Sequence, residues 1–236
     1  FPKAQAFVEA MRARCPKLVT VVRCVTDADV PLWTEGETTV LYGSGSMEEM
    51  LLGRRFSVSA CSFFQVNPRQ AEKLFTIALE DAALTGHETV VDACCGVGTL
   101  SILAAPMAAR VLGVEISEDA IADAAHNAVL NGVTNTEFAA GDAGEFLTRL
   151  ARRRQRVDVL FADPPRAGLT KECLAAAARL APARIVYVSC NPETLARDAH
   201  ILERSGYRLA RVTPVDMFPF TTHIETVCLF TRREEG

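Results

Sequence analysis

The chain has 236 residues, 49% of them hydrophobic and 23% charged, with a net charge of −4. That is core material for one large globular domain with a smaller attachment, and no apolar run approaches the roughly 18–20 residues of a bilayer span. The acid excess argues weakly against a polyanion partner. The exception is "RLARRRQR" (Arg149–Arg156), five arginines without an acid, which reads first as a solvated helix end. The opening "FPKAQAFVEAMRARC" has neither a secretory pattern nor an initiator Met, so the amino-terminal part of a longer protein is expected to be missing. A helix is expected from about Pro2 to Arg14. "LVTVVRCV" and "TTVLYG" read as strands, "SGSMEEMLLG" as a turn or connector, and "RRFSVSA" as another strand. Residues 1–60 thus form a small α+β segment.

From "FFQVNPRQ" onward the pattern is regular. Asn67 and Pro68 give a cap-then-proline signal for a helix running to about Leu84. The strands "TVVDACC", "RVLGVEI", "TEFAAGD", "VDVLFADPP" and "RIVYVSC" then alternate with helices starting near Thr99, Ser117, Ala143, Thr170 and Asn191. "YRLARVTPVDM" and "ETVCLFTRR" close the chain as two more strands. Such alternation predicts an α/β fold with a mostly parallel sheet covered on both faces. Ligands should gather beyond the carboxyl ends of its strands.

The special residues fall there. The first of these strands ends in Asp92 and passes through Gly96 and Gly98, whose backbone freedom permits a tight turn against a ligand. The third glycine of a dinucleotide fingerprint is missing. Glu115 ends the next strand, where an acid can accept from both hydroxyls of a ribose, and Asp142 follows where an adenine edge is in reach. The same three acids would also serve as ordinary turn residues. Asp163 is stiffened by two following prolines. Cys190 precedes Asn191 and Pro192, between a strand's end and a helix's start, where unpaired N–H groups lower a thiol's pKa. Cysteine is also a common small buried residue, so position alone leaves both readings open. His223 reads as structural. Glu225 opens a buried strand, which is costly for a carboxylate unless it is paired or functional. Cys15, Cys24, Cys61, Cys94, Cys95, Cys173, Cys190 and Cys228 form no C-x-x-C pair, so they are expected as reduced thiols in the cytoplasm, without a metal.

Taken together, "FFQVN", "D-x-x-C-G-x-G", "GVE", "DPPR", "VSCNP" and "DMFPxTxHxE", in unbroken order over Leu41 to Phe230, resemble the S-adenosylmethionine-dependent RNA uracil-C5 methyltransferases. The resemblance implies a class I methyltransferase (Rossmann-like) sheet with an antiparallel last strand over 61–236. It makes 1–60 a partial central segment that contacts RNA. It implies methyl transfer to a uridine of RNA, 23S ribosomal RNA in preference to tRNA, by a monomer with no membrane partner. Cys190 becomes the nucleophile that adds to uracil C6, and Glu225 the base that removes the C5 proton. Asp163, as an ionised carboxylate, accepts from uracil N3–H. Gln65, Asp92, Cys94, Gly96, Gly98, Thr99, Glu115, Asp142 and Asp163 form the S-adenosylmethionine pocket, and Gln65, Phe64 and Asp163 touch the flipped-out base.

Departures are visible as well. Phe220 stands where the family usually has His, and Cys94 where it usually has an aromatic. The amino-terminal oligonucleotide-binding barrel and four-cysteine iron–sulfur cluster of some members are not expected in this chain. Two rivals stand beside this reading. One is an amino-methyltransferase, which would use an aromatic where Arg166 stands. The other is a cofactor-binding fragment without catalysis.

Overall fold

The computed structural model describes residues 2–25, 37–60 and 62–233. Cys61 therefore lies outside the described residues. Helix α1 (Ala4–Arg14) leads to an antiparallel pair, β1 (Val21–Val25) with β2 (Glu37–Tyr42). A second hairpin follows, β3 (Ser46–Leu51) with β4 (Arg54–Ser59). Strand β3 replaces the connector expected over "SGSMEEMLLG". Its adjacent Glu48 and Glu49 face opposite sides of the hairpin and break the alternation of polar and apolar residues, which hides a regular ladder.

Helix α2 (Pro68–Ala82) precedes the main sheet. That sheet comprises β5 (Thr89–Ala93), β6 (Arg110–Glu115), β7 (Thr136–Ala140), β8 (Val159–Ala162), β9 (Arg184–Ser189), β10 (Tyr207–Val215) and β11 (Glu225–Arg232). Helices α3 (Thr99–Ala104), α4 (Glu118–Leu130), α5 (Ala143–Arg152), α6 (Lys171–Leu180) and α7 (Pro192–Arg204) connect them. The spatial order is β10-β11-β9-β8-β5-β6-β7. Strands β5 to β9 are parallel, and β11 runs antiparallel to both β9 and β10. The chain moves outward one way from β5 to β6 and β7, then returns to β8 on the other side. A crevice opens at such a switch point.

Neighbouring residues of each strand face opposite sides. Val90, Val111, Phe161, Val186 and Val227 pack with α2, α3 and the β3–β4 hairpin. Val91, Leu112, Leu160, Ile185 and Phe230 pack with α5, α6 and α7. Leu51, Phe56 and Val58 of the hairpin belong to the first of these cores, so the division at residue 60 runs through shared packing. Among the described residues no helix is long and apolar enough to cross a membrane.

Five helices start on a side-chain cap. Asn67, Ser117, Asp142, Thr170 and Asn191 accept from the backbone N–H of Gln70, Ala120, Glu145, Cys173 and Glu193. Each cap is worth about 1 kcal/mol. Four of them follow a strand of the main sheet and so fix the crevice rim.

Helix α4 also clasps the edge of β4. Asp123, Asn127 and Asn131 recur every fourth residue and therefore share one helix face. Asp123 Oδ2 accepts from Ser59 N at 3.0 Å, and Asn127 Oδ1 from Ser57 N at 2.7 Å. Asn131 Oδ1 accepts from Arg55 N at 3.0 Å. Asn127 Nδ2 donates to Ser57 O and, at 3.2 Å, to Val97 O in the glycine loop. Asn127→Ala would orphan three buried backbone groups. We expect a loss of about 3 kcal/mol, read from a urea midpoint, together with weaker cofactor binding.

Candidate active site

The glycine loop after β5 is shaped by backbone conformation. Cys94 (φ 63°), Gly96 (φ 53°) and Gly98 (φ 81°) are all left-handed. Gly98 packs so closely that a Cβ would lie 3.0 Å from Ala124 Cβ and 3.2 Å from the Phe138 ring. A Cβ on Gly96 would meet nothing within 4 Å, so that turn faces open space. Gly96 N donates to Glu115 Oε2 at 3.2 Å, while Glu115 Oε1 accepts from Ile116 N and Ser117 N. Glu115 therefore joins the glycine loop to the end of β6. Gly141 N donates to Glu115 O at 2.8 Å and brings the Asp142 turn alongside. Asp142 itself is exposed, with Oδ1 capping α5. Thr99 is buried at the first position of α3.

Asp92 is 1% exposed. Its Oδ2 accepts from Ser101 Oγ at 2.7 Å, and its Oδ1 has no partner. Burial pushes its pKa up to about 7, against the pull of Ser101 and with a smaller push from Glu115. Gln65 is also buried, with Oε1 unpartnered. Phe64 packs at 5.7 Å between ring centroids against Phe56, and Phe63 is the more exposed of the two aromatics.

A second cluster lies beyond β8, β9 and β11. The β9–β11 ladder ends where Thr226 pairs with Ser189, so Cys190, just past β9, and Glu225, the first residue of β11, lie at the same end of the two strands. Asp163 leaves β8 beside them, its N–H donating to Ala93 O at 3.3 Å. The Pro164–Thr170 turn is tied down to α7. Asn191 Nδ2 and Thr194 Oγ1 both donate to Arg166 O, at 3.0 and 3.1 Å. Asp198, wholly buried, accepts from Leu169 N at 2.8 Å and from Tyr187 Oη at 2.7 Å. Arg197 pairs with Asp198 and donates to Ala167 O and Leu169 O. The turn is thereby held in one shape, with Arg166 facing the cluster.

Electrostatics in the cluster differ from expectation. Burial, then the charges of Glu225 and Asp163, raise the Cys190 thiol pKa, and Arg166 opposes them. The sequence predicts a lowered value from the helix start. Two carboxylates and partial desolvation outweigh that dipole. Burial raises Glu225 to about 7, again opposed by Arg166. Burial raises Asp163 well above the ordinary carboxylate range, with Glu225, Asp92 and Glu115 adding to the shift. Repulsion from Asp92 and Glu115 reaches Asp163, so these acids and the Cys190 cluster border one crevice. Arg166 is the residue that sequence reasoning passed over, using it only to dismiss a rival. The available signal was a single cation three positions after the strand-end acid Asp163. His223 is exposed, with Nδ1 at 3.5 Å from Arg166 Nη2.

A sheet with one reversed strand, a glycine loop after its first parallel strand and acids on the next two strand ends define the class I fold of S-adenosylmethionine-dependent methyltransferases. Residues 52–233 match the model of the tRNA (uracil-5-)-methyltransferase family, and the chain belongs to that family. It is 42% identical over 234 residues to an uncharacterized RNA methyltransferase of Bacillus cereus, covering 99% of this chain and 51% of that protein. A second such relative, from Listeria innocua, is 49% identical over 194 residues, covering 82% of this chain and 43% of its own length. Among solved structures, the Pyrococcus abyssi tRNA (uracil-54, C5)-methyltransferase in complex with S-adenosyl-L-homocysteine superposes with a TM-score of 0.76. The two are 31% identical, with 93% of this chain and 53% of that one covered. The chain spans about half the length of the curated relatives it matches.

Proposed function

We propose that this chain carries the catalytic part of an RNA uracil-C5 methyltransferase that works through a covalent Cys190–C6 adduct. One observation carries the reading: Cys190 just past β9, Glu225 at the start of β11 and Asp163 just past β8 gather at one end of three neighbouring strands and act on one another electrostatically. A thiol, a base and a carboxyl on three adjacent strand ends suit a pyrimidine entering edge-on.

The residues present fit S-adenosylmethionine. Gln65 Oε1 and Asp92 Oδ1 are buried acceptors without donors, which an ammonium group would satisfy. Glu115 Oε2 keeps one acceptor site for a ribose hydroxyl, Gly96 leaves its side of the loop open, and Cys94, Gly98 and Thr99 complete the wall. Asp142 stands at the adenine end. When bound, the cofactor supplies an electrophilic sulfonium methyl.

Uracil C5 is a weak nucleophile until the C5–C6 double bond is broken. Cys190 adds to C6 as thiolate, and the electron pair moves through C5 toward O4 to give an enolate. Arg166 is the cation available to favour that thiolate. The raised pKa of Asp163 changes its expected role, because it favours the neutral carboxyl. A neutral carboxyl accepts from N3–H through its carbonyl oxygen and donates its O–H to O4, where the enolate charge collects. An ionised carboxylate would instead face O4 with like charge. Once C5 has been methylated, Glu225 takes its proton, and the C6–sulfur bond breaks as the ring regains conjugation.

This assignment predicts a specific mutational pattern. Asp163→Asn keeps one acceptor and one donor in place and should cost about 10-fold in kcat/KM. Asp163→Ala should cost about 1000-fold. Steady-state kinetics on one RNA separate the two. The overall reading is tested by incubating the protein with methyl-labelled cofactor and separate tRNA and 23S ribosomal RNA pools, then mapping new 5-methyluridine. New 5-methyluridine in either pool is the expected result, and the pool that carries it identifies the substrate. Label in neither pool would overturn the reading.

A further inference from the structure

Phe220 sits at the tip of the loop that joins β10 to Glu225. It is 108% exposed, the highest value among the described large hydrophobic residues. Thr221 N donates to Phe218 O at 3.1 Å, closing a four-residue turn with Pro219 and Phe220 at its centre. Phe220 has φ 68°. Proline followed by a positive φ defines a type II turn, whose third position favours glycine or asparagine. A phenylalanine there is strained against its own backbone, and full exposure means that no packing in the free protein offsets the strain.

The turn is also rigid. Thr221 Oγ1 donates to Phe218 O at 2.7 Å, and His223 N donates to Thr221 Oγ1 at 3.2 Å. The Phe218 ring meets His223 edge-on at 6.2 Å and packs on the core. Asn67 Nδ2 donates to Met217 O at 3.1 Å, tying this loop to the segment that displays Phe63, 61% exposed. An aromatic face is therefore presented to solvent on the loop that leads into Glu225 and whose His223 lies 3.5 Å from Arg166.

We propose that Phe220 is a stacking platform for the nucleobase next to the target uridine. The inference rests on the RNA reading above. A uridine that leaves its stack uncovers the face of its neighbour, and an aromatic ring restores the lost contact without reading base identity. Phe63 offers a second such face on the tethered segment.

The test uses tRNA and 23S ribosomal RNA transcripts made with 4-thiouridine, bound in the presence of S-adenosylhomocysteine and irradiated in the near ultraviolet. Mass spectrometry should map a crosslink to the Phe218–Thr221 turn, lost in Phe220→Ala and Phe220→Gly and kept in Phe220→Trp. In steady state, Phe220→Ala should raise KM for RNA roughly 5- to 100-fold, the range of one base–aromatic stack, with KM for S-adenosylmethionine unchanged. Phe220→Gly should melt at a higher temperature than the parent, because it relieves the turn while losing the stack. A crosslink map unaltered by Phe220→Ala, or one that never touches this turn, would overturn the proposal. The crosslink requires no methyl transfer. Failure to form 5-methyluridine in unmodified RNA therefore counts against the parent reading, separately from this one.

Discussion

Cys190→Ala is expected to abolish methyl transfer to RNA, by on the order of 10⁴-fold or more, while cofactor affinity measured by calorimetry stays within about twofold. The size of the effect follows from chemistry rather than packing. Without addition to C6 the pyrimidine C5 has no enolate behind it, and no neighbouring side chain can replace the sulfur. Glu225 and Asp163 face the same space, but both are oxygen acids in a setting that favours their neutral forms. Cys190 is partly exposed at the start of α7, so its truncation leaves no sealed cavity and folding should be retained. Methylation at more than about a tenth of the parent rate would rule out covalent catalysis by this residue.

Glu225→Gln is expected to trap the adduct. The thiol can still add and C5 can still be methylated, but the C5 proton has no acceptor, so an RNA–protein complex resistant to denaturant accumulates. Gel mobility after denaturation checks this, and free methylated product at the parent rate would contradict it. The pH dependence has a definite sign. The Glu225 carboxyl titrates at about 7 and accepts a proton only when ionised, so the parent kcat/KM rises as pH increases through about 7. Stability moves the other way. The folded pKa lies above the ordinary glutamate value, so the folded state holds this proton more tightly. Its contribution is intact below about pH 4 and is lost as pH climbs to about 7. Glu225→Gln should therefore melt higher than the parent at pH 8, and less distinguishably at pH 4.

The order of strands and helices could be read because each signal was local. Asn67, Ser117, Thr170 and Asn191 mark helix starts by their own chemistry and are the observed caps, while the helix expected from Ala143 is capped by Asp142, read from sequence only as a ligand-side acid. Strand β3 was hidden because the adjacent Glu48 and Glu49 interrupt its polar–apolar alternation. The helix-start argument for Cys190 considered one element, whereas the thiol answers to Glu225 and Asp163 from two other strands. Arg166 escaped for the same reason, since its influence depends on a turn clamped by Asp198 and Arg197. Sequence spacing placed the participants; the sign of their interactions emerged only from their three-dimensional neighbours.

The contacts of Asp123, Asn127 and Asn131 with β4 have a bearing on how this chain can change. All three side chains address main-chain atoms of Arg55, Ser57 and Ser59. Those atoms are present whatever residue other than proline occupies the strand. Outward-facing positions of β4 are consequently free to vary without loosening the grip, whereas each helix position admits almost no substitute. Tolerance is lopsided across the seam, and Asn127, which also reaches Val97 O, makes the glycine loop depend on the constrained side.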